Sequence, residues 1–312
     1  MVDEALSHPL GDLGDLIATL GSIDDDEIDW QNVARTTVLI HQTFRYEYPG
    51  TIGALRQRLI VVPPDYHDDQ RLVTHKLRVS GCDLDTERSY DTFGNVVLDL
   101  TLQRVEREAG ADGSLHSEPL PPDARFSEPS RLTRPDDALT AVAAELKATG
   151  ATGLELADLV SERVHDHLRY EWEVTSIATT AAEAWAGGAG VCQDYSHCML
   201  ALARLCGLSA RYVSGHLLGE GGTHAWVEIL VPHAREPECV SAVAFDPTHN
   251  RRAGLRYVTV AVGRDYADVA PTSGTYDGPS EGVLTTSKRA AVTNVEYLRP
   301  QRRRRVGPLP TA

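Results

Sequence analysis

Gly190-Val191-Cys192-Gln193-Asp194-Tyr195 is the stretch that decides the fold of this chain. Two later ones complete it: Thr223-His224-Ala225-Trp226-Val227-Glu228 and Phe245-Asp246-Pro247-Thr248. Together they supply a cysteine, a histidine and an aspartate in that order. A thiol is a useful nucleophile once deprotonated, and an imidazole held by a carboxylate can take its proton. The combination points to cysteine-dependent acyl transfer.

The local patterns place these residues. Gly187, Gly188 and Gly190 predict a flexible approach to Cys192. Beyond it, Cys198, Met199, Leu202 and Leu205 fall near helical spacing, and Gly207 closes the pattern. Cys192 is therefore expected at or just before a helix N-terminus, where unpaired N–H groups and the helix dipole favour a thiolate. Burial as an inert thiol is the ordinary fate of a free cysteine. That reading is taken for Cys198 and Cys206.

His224 opens a strand-like run over 224–231, with His224, Trp226, Glu228 and Leu230 on one face and Ala225, Val227, Ile229 and Val231 on the other. A second run, 241–246, ends at Pro247, which cannot continue a ladder. Paired as an antiparallel hairpin, the two runs bring the start of the first beside the end of the second. Asp246 then stands next to His224, as an orienting carboxylate requires. Taken alone, His224 reads as a structural histidine and Asp246 as a turn residue before proline. Cys192 is what lifts both.

These segments resemble the transglutaminase-like superfamily, whose pattern has a GVCxD nucleophile helix, an HAW strand and a DPT strand end. The segment Arg211-Tyr212-Val213-Ser214-Gly215 is similar to the family's strand leading into the histidine loop. The likeness is close over residues 155–250. It implies an α+β fold with a papain-like core, a nucleophile helix packed on an antiparallel sheet. It further implies Cys192 as nucleophile, His224 as general base and then acid, and Asp246 as the orienting group.

Upstream, Phe44-Arg45-Tyr46-Glu47-Tyr48-Pro49 and Asp91-Thr92-Phe93-Gly94-Asn95 are similar to a smaller β-rich domain found before this core in bacterial members. The residues themselves predict strands over 36–48, 55–62, 74–79 and 96–105, with a turn at Phe93-Gly94-Asn95. The work expected of this domain is packing on the core or recognising substrate.

The punctuation divides the chain into an acidic, flexible extension (1–30), the β-rich domain (31–118), a Pro-rich linker (119–135), the catalytic domain (136–300) and a basic, disordered tail (301–312). Helices are expected over 136–147 and 154–168, the first capped by Asp136, and further strands over 256–262 and 283–298. Gly219, Gly221 and Gly222 make 217–223 either a mobile rim of the cleft or an ordinary connection.

At 312 residues and 42% hydrophobic, the chain has material for two ordinary domains. A formal charge of −15 argues against nonspecific nucleic-acid binding. No run approaches the roughly 18 apolar residues of a membrane span. Five cysteines without a regular framework favour a reducing compartment, and cytoplasm is the expected location. No cofactor is expected, and no metal. His165 and His167 point to different faces of a helix, and Cys192, Cys198 and Cys206 are too widely spaced for a zinc knuckle. His197, His216 and His249 read as supporting or surface groups.

The expected partner is a peptide or protein substrate, with no nucleic acid or membrane. Its oxyanion would be held by backbone N–H groups at the helix start. Gln193, Tyr170, Trp172 and Trp226 are candidates for further oxyanion or substrate contacts; no glutamine stands just upstream of Cys192, as one does in papain-like proteases. Water attacking the resulting thioester makes a peptidase or amidase, and an amine makes a transglutaminase. The absence of the large animal enzymes' extra domains and calcium sites leans the expectation to hydrolysis. A binding module that kept the fold without the chemistry is the alternative of another class.

Overall fold

The computed structural model describes residues 23–47, 53–76, 88–97, 102–108, 120–219, 223–236, 238–277 and 282–298. The chain opens with strands β1 (Val33–Glu47), β2 (Gly53–Leu59), β3 (Tyr66–His67), β4 (Gln70–Lys76), β5 (Ser89–Tyr90), β6 (Val96–Val97) and β7 (Leu102–Glu108). A helical stretch follows, with α1 (Asp137–Ala148), α2 (Gly153–His167), strand β8 (Arg169–Tyr170), α3 (Ala181–Gly187), strand β9 (Ala189–Gly190) and α4 (Cys192–Leu205). Then come β10 (Ser209–Leu217), β11 (Thr223–Pro232), β12 (Val240–Asp246), β13 (Arg251–Arg252), β14 (Tyr257–Gly263), α5 (Tyr266–Val269), β15 (Thr272–Asp277) and β16 (Val283–Tyr297).

The fold is a mixed helix-and-sheet one whose core sheet runs β13-β12-β11-β10-β14, antiparallel throughout. Period-two alternation on β11 sorts its residues as the sequence predicts. Ala225, Val227 and Ile229 join Cys198, Met199 and Leu202 of α4 in the main core, while Trp226 packs with Val213, Leu217 and Tyr257 on the opposite face. Each buried Leu or Val in such a core contributes about 1.5–3 kcal/mol. The helix ends where expected: Gly207 has φ +85, and Leu208 N–H donates to Ala203 O at 2.9 Å, satisfying a terminal carbonyl. Asp136 caps α1 through Leu139 N–H at 2.9 Å.

The second sheet runs β16-β1-β7-β4-β3. The strand β16, at the far end of the chain, lies along β1 from Val33↔Tyr297 to Glu47↔Val283, and β15 pairs with β2. Sheet membership therefore crosses the boundaries expected at 31–118 and 136–300. Strand propensity is local, whereas the choice of partner is set by long-range packing.

The two sheets are joined through side-chain amides at an edge. Strand β14 ends the core sheet, and Gln70 both donates to Thr259 O (2.7 Å) and accepts from Thr259 N–H (2.8 Å). Asn95 does the same with Val262, at 2.8 Å each way. These amides stand in for a neighbouring strand and satisfy edge backbone groups that burial would otherwise strand. Asn95 itself is held by Asp91, whose carboxylate accepts from the Phe93 and Asn95 backbone N–H groups at 2.8 and 3.0 Å. Gly94 supplies the φ of +82 that this turn needs.

The described part of the extension expected to be flexible is packed, and so is the linker. Within the acidic extension, Ile23 bridges to Val292, Ile28 is buried, and Asp25 meets the Arg256 guanidinium at 2.6 Å. The linker is tied down by Arg204, a buried side chain that donates to Phe126 O (3.2 Å) and Thr133 Oγ1 (2.7 Å). In the extension its charge suggested solvent, but a few apolar anchors and the Arg256 contact prevail there. Residues 1–22, the tail after 298 and the glycines at 221 and 222 lie outside the described residues.

Candidate active site

Cys192 is the first residue of α4, the placement the sequence predicts. Its approach is fixed rather than flexible. Gly187 ends α3, Gly188 takes the left-handed cap with φ +65, and Gly190 lies in β9, which pairs with β8. Gly190 is needed for space: a Cβ there would stand 2.6 Å from the Asp194 side chain. Asp194, buried, accepts from Val191 N–H at 2.8 Å and from Thr175 Oγ1 at 2.7 Å. Burial raises its pKa and those hydrogen bonds oppose the rise. The carboxylate thus clamps the first turn of α4 to the 171–180 segment and sets where the thiol stands. Of the other cysteines, Cys198 is fully buried with its thiol pushed well up by burial, and Cys206 is raised for the same reason.

His224 and Asp246 meet as the hairpin register requires. Strands β11 and β12 pair from Val227↔Phe245 to Pro232↔Val240, which sets the start of one beside the end of the other. His224 Nε2 lies 2.8 Å from Asp246 Oδ2, both residues being buried. Burial opposes charge on His224, yet the hydrogen bond to Asp246 and the influence of Asp246 and Cys192 on the ring outweigh that, pushing its pKa up to about 10. With Nε2 committed to the carboxylate, Nδ1 is the ring nitrogen left for a second partner. Burial would raise Asp246, but hydrogen bonds from His224, His249 and Tyr257 hold it well below the usual carboxylate range. The arrangement favours an imidazolium between a carboxylate and a sulfur. Such a group can hold a thiolate and pass a proton.

The further candidates divide. Gln193 is nearly buried and its amide donates to Ser176 O at 3.4 Å, turned toward the 171–180 segment. Tyr170, on β8, pairs with Gly190 and leans on Tyr195 of α4, and Trp172 meets it edge to face at 5.8 Å; the two are 44% and 72% exposed. Trp226 differs from its expected part. It is 1% exposed, stacks beside His224 at 6.3 Å and packs its edge on Tyr257 at 5.3 Å. It lines a cavity of about 320 Å³ on the face of the sheet away from α4, bounded also by His67, Glu228, Arg252 and Tyr257. Neither Cys192 nor His224 lines that cavity, so Trp226 supports the histidine from behind.

Among the described residues, two groups bring ligand-type atoms together: His224 with Asp246 and His249, and His67 with Asp68 and Glu228. Each is knit internally. Both histidines of the first hydrogen-bond Asp246, and in the second Glu228 binds His67 at 3.0 Å and Arg211 at 2.6 Å. Of the other histidines, His165 reaches Thr248 O (3.1 Å), His167 stacks on Trp185, His197 is buried and accepts from Tyr266 N–H, and His216 meets Gln42. The structure adds Asp194, Thr175, His249 and Tyr257 to the site. Of these, Asp194 was visible as the aspartate of the GVCxD stretch and His249 as an imidazole three residues after Asp246 in a proline turn, whereas Thr175 and Tyr257 carried no such signal.

Residues 140–236 match the model of the transglutaminase-like superfamily, and residues 38–110 match that of the bacterial transglutaminase-like N-terminal region. The chain carries a transglutaminase-like core. An uncharacterized protein of Mycobacterium tuberculosis strain H37Rv is 28% identical over 286 residues, covering 79% of this chain and 90% of that protein. An uncharacterized protein of Mycobacterium leprae is 28% identical over 273 residues, with 77% and 92% covered. The crystal structure of a "putative cysteine protease" from Cytophaga hutchinsonii superposes with a TM-score of 0.65 at 21% identity, covering 85% of this chain and 93% of that one. At that identity the likeness speaks to the fold alone. Among the described residues, no helix is long and apolar enough to cross a membrane.

Proposed function

We propose that the chain is a cysteine-dependent hydrolase of a peptide or isopeptide amide bond, working through a thioester. The observation that carries this reading is that one buried imidazole, His224, is hydrogen-bonded to Asp246 at 2.8 Å while Cys192 lies near enough to act on its charge. Cys192 thiolate attacks the amide carbonyl carbon, and the oxygen gains the charge. Cys192 and Gln193 occupy the first turn of α4, where backbone N–H groups lack intrahelical partners and suit an oxyanion. His224 gives its proton to the nitrogen as the C–N bond breaks and the amine leaves. Water then attacks the thioester while His224 takes its proton; the acid departs and the thiolate returns. Asp246 holds the imidazole in one orientation throughout.

The free thiols of Cys192, Cys198, Cys206 and Cys239 support a reducing compartment, the cytoplasm, as the place of work. The test is incubation with a mixed peptide library, with and without an added primary amine, read by mass spectrometry. New free carboxyl ends that need Cys192 are expected. Amine incorporation in preference to cleavage would make the protein a transglutaminase, and no product in either arm would leave a binding module.

A further inference from the structure

The Asp246 carboxylate serves more than His224. Its Oδ2 also meets His249 Nδ1 at 2.8 Å and accepts from Tyr257 Oη at 2.7 Å. Its Oδ1 accepts from the backbone N–H groups of Thr248 (3.0 Å) and His249 (3.3 Å). His249 therefore grips both carboxylate oxygens, one with its ring and one with its backbone, from the turn that follows β12. The turn is itself anchored, since His165 on α2 reaches the carbonyls of Pro247 and Thr248 at 3.3 and 3.1 Å. The ring centroids of His224 and His249 lie 5.3 Å apart, and the His249 side chain is 31% exposed while Asp246 is fully buried.

Resting on the reading of His224 and Asp246 above, we propose that His249 is a positioning residue for this site, sharing with His224 the one carboxylate oxygen that holds the imidazolium and so setting how tightly that proton is kept. An imidazolium must surrender its proton to the leaving amine, and a carboxylate that grips it alone makes it a poor acid. A second donor on the same oxygen spreads the negative charge and loosens that grip. Tyr257 adds a third donor and is steadied by Arg251 Nε at 2.8 Å. The titratable and charged groups around the shared oxygen are thus Cys192 on α4, His224 on β11, Arg251 on β13, Tyr257 on β14 and His165 on α2, besides His249.

The measurement is the pH titration of the His224 ring by ¹⁵N NMR in the full chain, for wild type, His249→Ala and His249→Asn. His249→Ala should raise the His224 midpoint by about half a unit or more, because one competing donor is gone. His249→Asn keeps an N–H donor within reach and should return the midpoint most of the way. Thermal midpoints of the variants identify any that fail to fold, and the Asn variant then carries the comparison with Tyr257→Phe, which removes a different donor from the same oxygen and should raise the midpoint likewise. An unmoved midpoint in His249→Ala, or an equal displacement in His249→Asn, overturns the proposal. The titration reads His224 without any need for turnover, so it is separable from a failure of Cys192 to act as a nucleophile.

Discussion

Two buried carboxylates on the core sheet are each held by a histidine, and they end in different chemistry. Glu228, four residues along β11 from His224, faces Arg211 across the β10–β11 pair and His67 of β3. Asp246 faces His224, His249 and Tyr257. Burial would raise Glu228, but the charges of Arg211 and His67 and their hydrogen bonds pull it down to about 2. Arg211 is a permanent cation, so this pair is closed and joins the N-terminal strands to the core. Around Asp246 no arginine or lysine touches the carboxylate oxygens among the described residues; its side-chain partners are two imidazoles and a phenol, and the raised pKa of His224 lets that ring carry the countercharge. A closed pair stabilises. A pair balanced by a proton can give that proton away.

The largest effects should separate the two networks by activity. Cys192→Ala should lower cleavage of any peptide found in the library by about 10⁴-fold or more, and Asp246→Asn by about 10²- to 10⁴-fold, the Asn variant always the milder. Initial rates and circular dichroism together check this, with the fold expected to be intact in both. Asp246→Asn activity equal to wild type would mean another group orients the imidazole.

Stability should then separate them in the other direction. Arg211→Met leaves Glu228 buried without its cation and should cost about 3 kcal/mol in denaturant unfolding. Alkylation of Cys192 in the same variant should stay within about twofold of wild type, since the networks share no partner. A large loss of Cys192 reactivity would show that the two are one network.

A smaller effect lies in the pH dependence of stability. The folded value of His224 is raised from 6.5 to about 10, so its contribution is complete below 6.5 and fades as pH climbs toward 10. Asp246 is lowered from 3.8, so its contribution holds above that value and disappears in acid. Unfolding free energy should therefore decline from neutral pH to about 10 in wild type and in Arg211→Met, and the decline should flatten in Asp246→Asn. Parallel curves for all three would mean that the His224 pKa is not raised in the folded protein.

What the sequence makes legible follows range. Cys192, Gly190 and Asp194 lie within one helical turn and its approach, so their grouping can be read from the residues. His224 and Asp246 come together through a single hairpin whose alternation and terminal proline are visible. The Glu228 network joins residues 161 positions apart, and β16 returns to β1 across most of the chain. No local pattern chooses those partners. Gln70 and Asn95 are similar: an amide completing a sheet edge looks like any polar strand or turn residue until the edge is known. Trp226 was legible as a neighbour of His224 but not as its backing, because alternation gives a face and not what covers it.

The proposed mechanism needs a Cys192 thiol activated by His224. Its most direct test is the rate of iodoacetamide alkylation of each cysteine at pH 6, mapped by peptide mass spectrometry, in wild type and His224→Ala. Cys192 should react well ahead of Cys198, Cys206 and Cys239, and should lose that lead in the His224 variant. Alkylation of Cys192 no faster than the others, or just as fast without His224, would mean that His224 does not activate the thiol.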